Sequence, residues 1–323
     1  MASRKRLILE RKFILVIIGI TTISLRLLLD SQFGTSTLVY ILIPFAVSIA
    51  IAFATKRSEK RSFFSRYLNH MRLATIVFLA SSVLLFEGFI CVLMFMPIYY
   101  LFVSIGYYLF WLMRDKSQDG SDQDDLKNTF QATAIPVLIL MLMSEGLFSA
   151  TTVPRPGTAT YVADSQLSVE ELQHNIAQPI AFDSERHWFL KLFPMPDAIA
   201  AGTLNQGDTH TLNFTYKRWL FTNTHSGEMH VKIAKVSDDH IRTEITRNDS
   251  YLDSYMRIDG TDIRFTPLAG GGTRVALSVR YDRRLDPAWY FGPMQQLAAK
   301  QSARLFLSDI VFRHPVEEVR DRE

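Results

Sequence analysis

Phe265-Thr-Pro-Leu-Ala-Gly-Gly-Gly-Thr-Arg-Val-Ala-Leu-Ser-Val-Arg-Tyr-Asp282 is the stretch on which the fold turns. In its second half Val275, Leu277, Val279 and Tyr281 share one face, and Arg274, Ser278 and Arg280 share the other. Strand side chains alternate between faces, so this period of two predicts a strand over Thr273–Asp282 with one side covered. Asp262–Thr266 pairs with it through the Ala269-Gly-Gly-Gly272 turn. Upstream, Thr211–Tyr216, Glu228–Val236 and Ile241–Thr246 read as further strands. Together they predict an antiparallel sheet with one buried face.

Working outward, Asp286-Pro287 can start a helix, with an acid at the cap and proline at the first turn; Gly292-Pro293 is the alternative start. Met294, Leu297, Ala298, Gln301, Leu305 and Ile310 then keep helical spacing until His314-Pro315. On the N-terminal side, Thr158–Gln166 reads as a strand. Ser168-Val-Glu-Glu171 fits a capping box that opens a short helix ending near Pro179. A second short helix is expected over Ser184–Phe193. Val153-Pro-Arg-Pro-Gly157 is a stiff break, so 151–157 reads as a linker, 158–313 as a domain and 314–323 as a charged tail.

This order of strand, two short helices, curved sheet and long closing helix resembles the helix-grip fold of the START-like superfamily, also called the SRPBCC or polyketide cyclase/dehydrase-like family. The resemblance is most specific at Phe265–Val275 and continues through Arg280-Tyr-Asp-Arg-Arg-Leu-Asp-Pro-Ala-Trp-Tyr-Phe-Gly-Pro293. It implies an α+β domain with an apolar cavity between helix and sheet, holding a lipid, sterol, polyketide or other hydrophobic ligand. Members range from carriers to cyclases, so fold alone does not fix chemistry.

Residues of the cavity or its rim are expected among Trp188, Phe193, Trp219, Leu220, Phe221, Trp289, Tyr290, Met294 and Leu297. Trp219-Leu-Phe221 follows Lys217-Arg218, which reads either as a lid or membrane-touching wedge or as packing under a loop. Trp188–Phe193 reads first as core. His225-Ser-Gly-Glu-Met-His230 has the look of a metal run, but Glu228 and His230 have no third ligand, whereas catalytic zinc takes three. No metal and no cofactor is therefore expected. No nucleophile elbow, phosphate loop or HExxH motif is present. Asp253, His230 and Glu228 are the candidate acid–base residues, without a complete catalytic constellation.

Residues 1–150 differ in kind. Apolar stretches at 13–29, 38–54, 73–113 and 131–150 predict an α-helical transmembrane bundle. The third is long enough for two helices, 73–92 and 97–113, with a turn near Leu93–Pro97, so five spans are expected. Lys and Arg crowd the N-terminus, the 56–72 segment and the 114–127 segment, but are absent from 30–37 and from 93–97. By the positive-inside tendency the N-terminus is cytoplasmic and the C-terminal domain lies outside, in the periplasm or extracellular space. A bacterial inner membrane fits this pattern. Arg26, Glu87 and Glu145 fall at similar depth in their spans and form an expected charge cluster. It reads as a helix lock, or as part of an ion or headgroup path.

The averages of the 323-residue chain conceal this division: 48% hydrophobic, 21% charged, net charge +3, mean hydropathy +0.09. The first 150 residues carry 15 basic and 10 acidic side chains, the remainder 20 and 22. A slightly acidic C-terminal half argues against nucleic-acid binding. A single cysteine, Cys91, excludes a disulfide framework. The expected function is binding of an apolar or amphipathic small molecule by a membrane-anchored START-like domain. The lipid bilayer is a partner, and a membrane-protein partner is a further expectation. The alternatives are a cyclase or lipid-modifying enzyme using the same cavity, and a small transporter or channel subunit using the intramembrane charges.

Overall fold

The computed structural model describes residues 37–54, 62–84, 89–115, 145 and most of 153–313. Its chain falls into two compact units, residues 1–71 with 98–151 and residues 72–97 with 152–323.

Among the described residues three helices lie in the N-terminal half: α1 (Thr37–Ala54), α2 (Phe63–Leu84) and α3 (Phe89–Asp115). They correct the expected five-span bundle. Among the described residues one helix, Val92–Trp111 within α3, is long and apolar enough to cross a membrane. In α1 the apolar run among the described residues is Tyr40–Ala52, short of that length. The 73–113 stretch divides elsewhere than the sequence suggested. Helix α2 starts at Phe63, taking Arg66, Asn69, His70 and Arg72 into its first turns, which lowers its apolarity. Helix α3 runs through Pro97, where a turn was expected. A proline inside a helix removes one hydrogen bond and bends the rod, and the surrounding apolar residues keep the helix going. The expected spans 13–29 and 131–150 lie outside the described residues except for Glu145.

Within the first unit, buried Ser48 donates to the Val103 carbonyl (2.7 Å) and bonds the His70 ring (2.8 Å). Gly106 faces Ser48 so closely that a Cβ there would sit 2.9 Å from the serine Cβ. Small residues thus let α1 and α3 meet backbone to backbone.

The C-terminal domain has the expected α+β helix-grip architecture. Its strands are β1 (Pro156–Ser165), β2 (Thr209–Trp219), β3 (Thr222–Val236), β4 (His240–Asn248), β5 (Met256–Pro267) and β6 (Thr273–Arg283). They form one antiparallel sheet in the order β1-β6-β5-β4-β3-β2. The β5–β6 hairpin pairs Phe265 with Val275, and Val275, Leu277, Val279 and Tyr281 are buried as their alternation requires. Gly272 makes the turn possible: its φ is +82°, and a Cβ would lie 2.2 Å from the Ser165 carbonyl oxygen.

Helix α4 (Val169–Ile176) opens with the capping box, Ser168 N–H donating to Glu171 Oε2 (2.8 Å) and Glu171 N–H to Ser168 Oγ (3.3 Å). In place of a helix over Ser184–Phe193, the described residues there hold only a single 3₁₀ turn, Leu190–Leu192. Helix α5 (Ala288–Phe306) continues as one π-helical stretch, Leu307–Phe312. It starts one residue after Pro287, at the Asp286-Pro287 signal, and passes through Pro293, the alternative start. Asp286 is not a capping acid. It is buried and accepts from Arg283 Nη1 and Arg155 Nη2, both at 2.6 Å, tying the 153–155 linker to the start of α5. Two guanidinium partners hold a buried carboxylate more strongly than orphan helix N–H groups do.

Candidate ligand cavity

Helix α5 crosses the concave face unevenly. Over β1 and β6 it is in direct contact, because Ala299 and Ala303 meet Ala159, Ala163, Val275, Leu277 and Val279 in one buried cluster. Alanines on both surfaces allow close approach. On its other side the helix stands away from β2–β5, leaving a cavity of about 220 Å³. Alternate residues of three strands point into it: Leu212 and Phe214, Met229, Val231 and Ile233, Ile241, Thr243 and Ile245. The helix contributes Met294, Gln295, Ala298, Ser302 and Phe306, a stripe at spacings of three and four with small residues at its centre. The connection between β1 and β2 borders it with Ile176, Ile180, Phe182 and Leu190.

A helix gripping a six-stranded antiparallel sheet, with an apolar cavity between the two, is the architecture implied by Phe265–Pro293. The C-terminal domain has a helix-grip fold. Solved structures similar to it include a START superfamily protein from Mycobacterium smegmatis, 13% identical, covering 49% of this chain and 96% of that one, TM-score 0.30. Another is truncated norcoclaurine synthase from Thalictrum flavum, 14% identical, covering 48% and 96%, TM-score 0.30. A third is an AHSA1-like protein from Aeromonas hydrophila, 13% identical, covering 45% and 90%, TM-score 0.24. No family model and no curated protein matches the chain.

Of the residues singled out from sequence, Met294 lines the cavity of this domain. Leu297, one helical step away, is 38% exposed, and Trp289 is 45% exposed; neither lines it. Tyr290 donates its hydroxyl to the Met94 carbonyl (2.6 Å), and Met94 belongs to the same compact unit and reaches the cavity wall. Trp188 is 67% exposed and away from the lining, while its neighbour Leu190 is buried against it. Trp219 closes β2, but its side chain lies outside the described residues, as do Leu220, Phe221 and Phe193. Arg26 and Glu87 also lie outside them; Glu145 is half-buried.

The lining's polar groups are few. Thr243 and Thr261 bond each other across β4 and β5 (2.8 Å), and the Tyr255 hydroxyl donates to that of Tyr251 (2.6 Å). Among the described residues no Asp or Glu lines the cavity. The candidate acid–base residues stand elsewhere. Glu228 lies 3.5 Å from His230, with neither lining the cavity, and no third ligand joins them among the described residues. Asp253 pairs with Arg284 at 3.3 Å, and burial pushes its carboxyl above the usual range. Sequence reasoning missed Gln295 and Ser302. Polar residues within a helical apolar stripe were the available signal, but the stripe's rotation against the sheet is not written in the spacing.

Proposed function

We propose that the protein binds an apolar or amphipathic small molecule in the cavity beneath α5 and is anchored to a membrane by its N-terminal apolar segments. The observation that carries the binding reading is the lining itself: three strands and a helix present aliphatic and aromatic side chains to an open volume, with few polar groups to fix orientation. Anchoring rests on Val92–Trp111 and on the apolar stretches that flank it in sequence. The basic N-terminus (Arg4, Lys5, Arg6, Arg11 and Lys12) favours a cytoplasmic start to the chain. The C-terminal domain is placed in this reading on the non-cytoplasmic side. A binding domain beside the bilayer exchanges its ligand with the outer leaflet.

Native mass spectrometry of the full chain purified from membranes tests this. An apolar adduct released by organic extraction is expected, and a protein that carries none and takes up none when offered would end the binding reading. Protease digestion of sealed vesicles tests the sidedness: cleavage of the C-terminal domain from the cytoplasmic face would refute it.

A further inference from the structure

Gln295 is the buried polar side chain that α5 brings to the cavity, at 4% exposure. Its Nε2 donates to the Tyr255 carbonyl at 2.6 Å. A carbonyl accepts only from the NH₂ side of the amide, so this bond fixes which way the side chain points. Its Oε1 is left buried and without a hydrogen-bond partner. A buried acceptor that is never satisfied is unfavourable, and such atoms in native proteins mark a missing partner. The nearby polar lining groups do not supply one, since Thr243 and Thr261 bond each other and the Tyr255 hydroxyl bonds Tyr251.

Among the described residues no Asp, Glu, Lys or Arg lines the cavity. A buried anion needs a cation or several donors. Among the described residues His210 is the one lining side chain able to gain positive charge, and it stands on β2 in the wall opposite the helix. The amide donor of Gln295 is already in use.

Resting on the binding reading above, we propose that the cavity selects a neutral apolar molecule bearing a hydroxyl, whose O–H donates to Gln295 Oε1, over hydrocarbons without a donor and over fatty-acid anions. The helix offers one acceptor, and the sheet offers an apolar bed for the rest of the molecule. A site built to hydrogen-bond a hydroxyl rejects the analogue that lacks it, because its own polar group is then left unpaired.

The experiment is native mass spectrometry of the full-length protein with dodecanol, dodecane and dodecanoate at matched concentrations. Dodecanol is expected to bind about tenfold more tightly than dodecane, the advantage one net hydrogen bond confers. Dodecanoate is expected to bind more weakly than dodecanol. In Gln295→Met the dodecanol preference is expected to vanish while dodecane binding persists. Equal binding of dodecanol and dodecane to the wild-type protein would overturn the proposal and leave the apolar cavity standing. Tightest binding of dodecanoate would overturn it too, in favour of an anion site. Failure of all three to bind would remove the binding reading itself. The wild-type comparison decides the matter even if the variant does not fold.

Discussion

Beneath α5 the six-stranded sheet is filled on one side and hollow on the other. Over β1 and β6, Ala299 and Ala303 are fully buried against valine, leucine and alanine, and helix and sheet touch along their length. Over β2–β4, Ala298 and Ser302 face strand residues of similar apolarity across open space. Hydrophobicity does not separate the two regions, because both present alternating aliphatic residues. The difference lies in where the helix axis runs relative to the sheet's curvature, so stability concentrates in one half and ligand capacity in the other.

Truncation in the filled half should have the largest effect. Leu277→Ala, at a fully buried position, is expected to destabilise by about 3 kcal/mol, through lost transfer energy plus a new cavity. Met229→Ala in the hollow half removes a side chain that already borders open space, and about half that loss is expected. Urea unfolding of the C-terminal domain's signal checks both, and equal losses would erase the distinction.

Neighbouring alanines sharpen it further. Ala299→Leu should overpack the contact with β1 and β6 and cost about 2 kcal/mol. Ala298→Leu should leave stability within about 1 kcal/mol while abolishing uptake of apolar ligand, since the added side chain occupies the cavity. Thermal melts and ligand binding measured on the same two variants separate the outcomes.

The smallest effects are electrostatic and opposite in sign. Behind the filled half, hydrogen bonds from Arg274 hold the Asp164 carboxyl below its usual range. Its contribution is present above the unfolded value of 3.8 and fades as pH falls through the lowered folded value. Asp253, in the short 3₁₀ turn Tyr251–Ser254 just before β5, is instead raised by burial. It favours the fold when protonated, below 3.8, and that advantage is lost as pH rises through the raised folded value. Asp164→Asn should weaken the protein at neutral pH by less than about 1 kcal/mol, the pair being exposed. Asp253→Asn should leave neutral-pH stability unchanged or slightly higher. Unfolding measured from pH 3 to pH 7 would show whether the two slopes diverge.

Much of the domain was legible before any coordinates. The alternation in Thr273–Asp282, the glycine turn before it and the reciprocal Ser168–Glu171 cap are local signals, and local hydrogen bonding fulfils each one. Pro97 misled, since it stands inside a helix where a turn was expected. The Asp286-Pro287 signal falls one residue before α5, and only the alternative start at Pro293 lies within it. The expected span 73–92 does not match the helix found there, because α2 begins at Phe63, ahead of that apolar run, and draws in Arg66 and Arg72. Aromatic residues drew attention at Trp188 and Trp289, which are largely exposed, while the cavity is lined mainly by aliphatic residues whose spacing matches that of any core.

The sequence by itself determined the order of elements, the strand faces, the hairpin and the presence of a long helix that closes the domain. Each follows from interactions between residues close in the chain or from a period intrinsic to the backbone. Only the tertiary structure decided that Met294, Gln295 and Ala298 face inward while Leu297 faces out. It alone decided that Asp286 pairs with two arginines, one of them in the distant 153–155 linker. A helix's rotation and lateral offset on a sheet come from many weak contacts summed over the whole interface, and no short stretch of sequence contains that sum.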